Sequence, residues 1–269
     1  MNHNLNAQAF VLPENKGFLF VIFFFICIAN HCYGQTNVFI VDFIEISNTS
    51  RSGKFYHQLV FDNNTSIFKQ SKPFQSKNDF KDTQEGRSFR VDIPFSNNDL
   101  DIYKRNRGSD MVRYRHNFSG VSLYVNDTIS HKWELSNESK TILNYNCKKA
   151  TTQFRGRTYD VWFTLDINYP YGPWKIFGLP GLILEVHDQQ GGISFYAQRL
   201  EIKNTLLDKI VKQPHFQIKE SEFSSFYQYC QERKEILKRN RKIIESKMPN
   251  GMRFSQNCED CLNELETCD

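Results

Sequence analysis

Between Thr36 and about Leu200, apolar and polar residues alternate in short runs separated by clusters of Asn, Asp, Ser and Gly. A period of two predicts strands with one buried face, and the clusters predict turns. Val38 to Ile46 and Phe55 to Phe61 are β-branched and aromatic, with a polar stretch from Asn48 to Gly53 between them. Asp62-Asn63-Asn64 predicts a turn into a short strand from Thr65 to Lys69. From Gln70 to about Leu100 the period is lost, which predicts a long surface excursion. Alternation resumes with Val112, Tyr114, His116 and Phe118 on one face, a turn at Ser119-Gly120, and Val121, Leu123 and Val125 after it. Ile129, His131, Trp133 and Leu135 form the cleanest alternation, followed by a turn predicted at Ser136-Asn137. A strand from Lys140 to Phe154 then turns at Arg155-Gly156 into Thr158 to Leu165.

Asp166 to Phe177 predicts a loop in which Tyr169, Tyr171 and Trp174 cap an open end of the sheet. Gly178-Leu179-Pro180-Gly181-Leu182-Ile183 follows. Pro180 pre-sets φ near about −65° and Gly181 supplies a positive φ, which predicts a type II turn. Leu182, Leu184 and Val186 share one strand face, Ile183, Glu185 and His187 the other. Gln189 to Gly192 then reverses the chain into a strand from Ile193 to Leu200. Beyond Lys203 the spacing changes to three, four and seven: Phe223, Phe226, Tyr227, Cys230, Leu237 and Ile244, with Ile236 and Ile243 widening the stripe. This predicts an amphipathic helix with Ser221 as N-cap and Pro249-Asn250-Gly251 as the stop.

Short connections pair neighbouring strands antiparallel, because parallel pairing needs a long crossover. The predicted class is mainly β (α+β): a large curled antiparallel meander or half-barrel of eight to ten strands, with one C-terminal helix. The predicted organisation is a leader over 1–34, a β domain over 35–203, and a helix with a cysteine-containing tail over 204–269.

Within the leader, Lys16 precedes an apolar run from Phe18 to Ala29, and small residues at Cys32 and Gly34 stand before a cut ahead of Gln35. That pattern predicts a secretory signal peptide, with an apolar core shorter than the ~20 residues a membrane-spanning helix needs. The mature chain is thus predicted to be exported, to the periplasm, the outer membrane or beyond, with no transmembrane segment. A net charge of +4, with 34 basic and 30 acidic residues interspersed, gives no sign of a nucleic-acid binder.

Asn144 to Ala150, Phe154-Arg155-Gly156-Arg157-Thr158-Tyr159, Val161-Trp162-Phe163-Thr164, Gly172-Pro173-Trp174-Lys175 and the hexapeptide Gly178 to Ile183 together resemble the GLPGLI family of exported Bacteroidota proteins. The resemblance spans about Thr128 to Lys203. It implies an envelope address and a β architecture; the family has no assigned activity, so no catalytic residue is implied. The repeated hairpins also resemble the half-barrel of LolA-type lipoprotein carriers at the level of fold.

Five cysteines remain after the leader. Cys230, Cys258, Cys261 and Cys268 are disulfide candidates in an oxidising compartment, and Cys147 reads as a core thiol. Cys258-Glu259-Asp260-Cys261 lacks the βαβ surroundings of a redox dithiol. Glu185, His187 and Asp188 raise a catalytic or metal possibility, yet no partner motif accompanies them, and no nucleophile elbow or phosphate loop appears. No metal site, cofactor or catalytic residue is therefore assigned. The expected function is non-enzymatic: an envelope protein holding an apolar or peptide ligand near Trp174, Leu179 and Leu182. The alternative is an accessory partner of an outer-membrane protein complex, docking another chain along a sheet edge.

Overall fold

Two meanders meet in one sheet. The computed structural model describes residues 37–49, 53–71, 100–211 and 222–247. All of them fall within Thr36–Asp269. The predicted leader, most of the excursion, the Ser221 cap, the Pro249 stop and the tail cysteines lie outside the described residues.

The first meander comprises β1 (Asn37–Ser47), β2 (Gly53–Phe61), β3 (Thr65–Gln70), β4 (Ile102–Asn106), β5 (Met111–Phe118) and β6 (Val121–Thr128). The second comprises β7 (Glu134–Ile142), β8 (Tyr145–Phe154), β9 (Arg157–Thr164), β10 (Leu182–Asp188) and β11 (Ile193–Asn204). Antiparallel pairing of β1 with β11 joins them. A two-residue strand, β12 (Ser224–Ser225), pairs parallel with β6, so the 12-stranded sheet is mixed rather than wholly antiparallel. Two helices complete the described chain: a single turn α1 (Leu207–Ile210) and the C-terminal α2 (Phe226–Lys247).

Three hairpins turn on two residues with positive φ: Ser119-Gly120 (52° and 78°), Leu143-Asn144 (51° and 66°) and Arg155-Gly156 (46° and 80°). Positive φ at both positions is the type I′ turn, whose twist matches the strands it joins. The second of these corrects the sequence reading. Glu134 to Ile142 is the strand and Leu143-Asn144 the turn, so the expected turn at Ser136-Asn137 falls inside β7, where a bulge separates Leu135 from Ser139. Ile129 to Trp133 belongs to no strand of the sheet and forms a strap between β6 and β7, with Ile129 N–H donating to Asp110 O at 2.8 Å.

That strap fixes the curl. Strands β6 and β7 stand ten neighbours apart in the sheet order; laid flat at about 4.8 Å per strand they would be separated by roughly 48 Å. The six steps from Thr128 to Glu134 reach at most about 22 Å. The sheet must bend until its two ends approach, without closing. Its inner face carries the main core, including Val41, Phe43, Leu59, Phe61, Tyr114, Val125, Tyr159, Val161 and Phe195. The loop between β9 and β10 fills this interior with Tyr171, Trp174, Ile176, Phe177 and Leu179, and Tyr229, Cys230 and Ile236 of α2 join the same core. On the outer face, a smaller cluster of Val38, Ile40, Val60, Ile67 and Ile102 is covered by Leu207 and Val211.

Candidate functional site

On the outer face of the second meander, cross-strand register brings six side chains into one row. Glu185 stands opposite Trp162 on β9 and Tyr196 on β11, and His187 opposite Ser194. Paired residues in a sheet point to the same side, so this grouping follows from register alone. Lys140 reaches in from β7, donating to Glu185 Oε1 and lying 4.3 Å from the centre of the Trp162 ring. His187 contacts the same carboxylate oxygen through Nε2 and Ser194 Oγ through Nδ1 at 3.3 Å, while its ring meets Tyr196 edge-on. Burial pushes the Glu185 carboxyl up, but the hydrogen bonds from His187 and Lys140 outweigh it and hold the group below the usual carboxylate range.

Ser194, His187 and Glu185 thus form a hydroxyl–imidazole–carboxylate chain. Hydrolysis through such a chain needs donors aimed at an oxyanion. Here β10 lies between β9 and β11, and β11 between β10 and β1, with the β9–β10 register shifting between Ile183 and Glu185. The patch brings together opposite charges, half-buried aromatic rings and a hydroxyl. Asp188 does not belong to it. That carboxylate is buried on the other side of the strand, accepts from Arg157 at 2.5 Å, and caps the β10–β11 turn through the N–H groups of Gln190 and Gly192.

Inside the sheet lies a second polar group. Lys175 and Asp127 are each 1% exposed, with Nζ and Oδ2 at 3.1 Å, and Arg155 pairs with the other carboxylate oxygen at 2.5 Å. Aromatic faces cover the cations: Lys175 lies 4.1 Å from the Tyr114 ring centre, and Arg155 lies 3.2 Å from that of Phe226 on α2. One carboxylate from β6, one guanidinium from the β8–β9 turn and one ammonium from the interior loop therefore tie both meanders to α2. Taking these charges out of water costs solvation that their mutual attraction must offset, and removing one partner would leave an uncompensated buried charge. The strap closes over it. His131 Nε2–H donates to Lys175 O at 2.8 Å and Trp133 Nε1–H to Phe177 O at 3.3 Å.

Trp174, Leu179 and Leu182, the expected ligand contacts, are 8%, 2% and 0% exposed and belong to the main core. The cleft beside Trp174, lined also by Ser66, Tyr103, Arg105, Gly172 and Phe177, admits about one water molecule. In the hexapeptide, Gly178 takes the positive φ of 98°, and Gly181 does not. The expected type II turn at Pro180-Gly181 is thereby corrected; residues 179–181 form a bend. Gly181 serves close approach instead, since a Cβ there would stand 2.0 Å from the Thr164 carbonyl oxygen on β9. Cys147 is a free, fully buried thiol whose pKa burial pushes up to about 11. Cys230 is disulfide-bonded. Among the described residues no cluster of three or more His, Cys, Asp or Glu could hold a metal ion.

Sequence reasoning named Glu185 and His187 but missed Lys140, Trp162, Asp127 and Lys175. Lys140 and Trp162 reach this patch only through pairing across strands. Lys175 sits beside Trp174, whose φ of 55° is a rare conformation for a bulky residue, and no sequence period reports it.

Residues 114–224, from β5 to β12, match the family model described as "N-glycanase peptide, N-terminal domain". No curated protein matches. Among solved structures, PNGF-II is similar at a TM-score of 0.46 and 18% identity, over 66% of this chain and 30% of that one. The chain thus spans under a third of PNGF-II's length. MucB in complex with MucA(peri) is similar at a TM-score of 0.30 and 9% identity, over 63% and 52%. A putative outer membrane lipoprotein-sorting protein domain from Vibrio parahaemolyticus matches at a TM-score of 0.30 and 8% identity, over 68% and 93%. The match to the family model covers less than half of the chain, and the GLPGLI resemblance rests on its motifs alone.

Proposed function

We propose that this chain is a non-enzymatic binding protein of the envelope, and that it takes a peptide or protein segment in extended form along β7. The observation that carries the reading is the free side of that strand. Among the described residues β7 pairs only with β8, and it ends the sheet. Extended segments add to such edges through backbone hydrogen bonds, with side-chain pockets supplying selectivity. The row formed by Lys140, Trp162, Glu185 and His187 lies next to the regular half of β7, Ser139–Ile142, and offers charge of both signs with an aromatic face. Glu134, Glu138 and the bulge guard the other half against indiscriminate pairing.

An apolar ligand at Trp174, Leu179 and Leu182 is the rival form of the reading. Their burial requires the interior loop or α2 to lift first. An N-glycan hydrolase, suggested by the name of the matching family, is the enzymatic rival, and release of glycans from a glycopeptide is its check.

Native mass spectrometry of the protein purified from its own envelope tests the proposal. The expected spectrum shows a bound polypeptide, lost when proline replaces either Lys140 or Thr141. Alternate residues of an edge strand point their N–H outward, so one of the two substitutions removes a docking donor while the other disturbs β8. A small apolar molecule that survives both substitutions would favour the rival.

A further inference from the structure

Helix α2 outruns the sheet that supports it. Its 22 residues extend about 33 Å, yet the buried positions Tyr229, Cys230, Arg233 and Ile236 all fall in its first half. Leu237 and Asn240 are half-buried, and from Arg241 to Ile243 every residue is exposed. Ile243 stands one heptad beyond Ile236, on the same stripe; Ile236 is 7% exposed and Ile243 47%. The stripe therefore continues past the point where the sheet can cover it. Around it stand Lys238, Arg239, Arg241 and Lys242, all exposed. Lys238 pairs with Glu235 at 2.8 Å, and Glu245 is the sole acid from Lys238 to Lys247.

We propose that this end of α2 is a seat for an anionic lipid surface, with the basic side chains meeting head groups and Ile243 entering the boundary with the acyl chains. The inference goes beyond the edge-strand reading and uses none of its residues. A helix with bases flanking an apolar stripe is the pattern of interfacial binding. A tip exposed on successive residues has no groove to grip a peptide, whereas a planar charged surface meets it without one. Each basic residue near an anionic membrane contributes about 1 kcal/mol, or roughly fivefold in affinity.

Co-sedimentation of the full mature chain with vesicles tests this, using phosphatidylcholine alone or mixed with phosphatidylglycerol, at low and high salt. The protein is expected to bind only the anionic vesicles and to release at high salt. Arg239→Gln with Lys242→Gln should weaken binding about 25-fold at unchanged melting temperature, since both side chains are exposed. Ile243→Ser should weaken it severalfold and leave its salt dependence intact. Equal binding to neutral vesicles, or none to either, overturns the proposal. Binding that appears only after the tail acids Glu259, Asp260, Glu264, Glu266 and Asp269 are neutralised would do so as well, assigning the seat to the chain's own C-terminus. Preference for soluble polyglutamate over vesicles would assign it to an acidic protein.

Discussion

Gly181 and His131 show how single residues set this structure. At Gly181 the missing Cβ lets the start of β10 lie against the Thr164 carbonyl, 2.0 Å from where that atom would stand. Backbone cannot step aside as a flexible side-chain end can. Gly181→Ala should cost about 3 kcal/mol and lower the melting temperature by roughly 6–12 °C, read by thermal unfolding. A change within error would mean that β10 does not approach β9 this closely. His131 is held neutral. Burial lowers its pKa from 6.5, the hydrogen bond to Lys175 O opposes that shift, and the charges of Arg105 and Arg155 add to it. Its unfolded form therefore binds protons that the folded form refuses, so the stability it contributes is complete above about pH 6.5 and falls as pH drops below that value. His131→Gln keeps a donor for Lys175 O and should flatten the loss of melting temperature just below that pH. The contribution of Glu185, also depressed, is lost at lower pH, below 4.5, and should survive the substitution.

At the scale of elements, what was legible in the sequence was what local chemistry determines. Ser119-Gly120 and Arg155-Gly156 announced their turns because glycine takes the second positive φ without strain. Leu143-Asn144 makes the same turn with no glycine and with a leucine in the first positive-φ position, so only Asn144 marked it, and the strand before it was placed too early. The alternation of Ile129, His131 and Trp133 was real, but it records a strap packed on the interior loop rather than a strand of the sheet, and it ends before Leu135, which was placed on the same face and is 69% exposed. Period two reports extension and one-sided burial, and pairing is a separate fact. The helix stripe was read correctly at Cys230 and Ile236 but not at Tyr227, which is 69% exposed while Tyr229 and Arg233 are buried, nor at Phe223, which precedes the helix. Its loss of cover at Ile243 depends on where the sheet ends, which the helix's own sequence does not encode.

For the molecule as a whole, the β class and the C-terminal helix followed from pattern, but one buried face per strand did not hold throughout: Val38, Ile40, Val60, Ile67 and Ile102 are buried on the face opposite the main core. The order of strands did not follow from pattern. The two meanders are joined through β1 and β11, the first and last strands of the β region, and that contact spans most of the chain. Its consequences are the curl, the interior loop tied by Lys175 and Asp127, and β7 left at an end that, among the described residues, has one side free. The outer patch likewise exists only because five strands fall into register. Amide hydrogen exchange on the protein carrying its envelope-derived ligand, against the stripped protein, tests the central claim most directly. The account predicts that slowed exchange on binding is confined to alternate amides of Ser139–Ile142 and their flanks. Protection centred on residues 165–182, with β7 exchanging as freely as before, would contradict it.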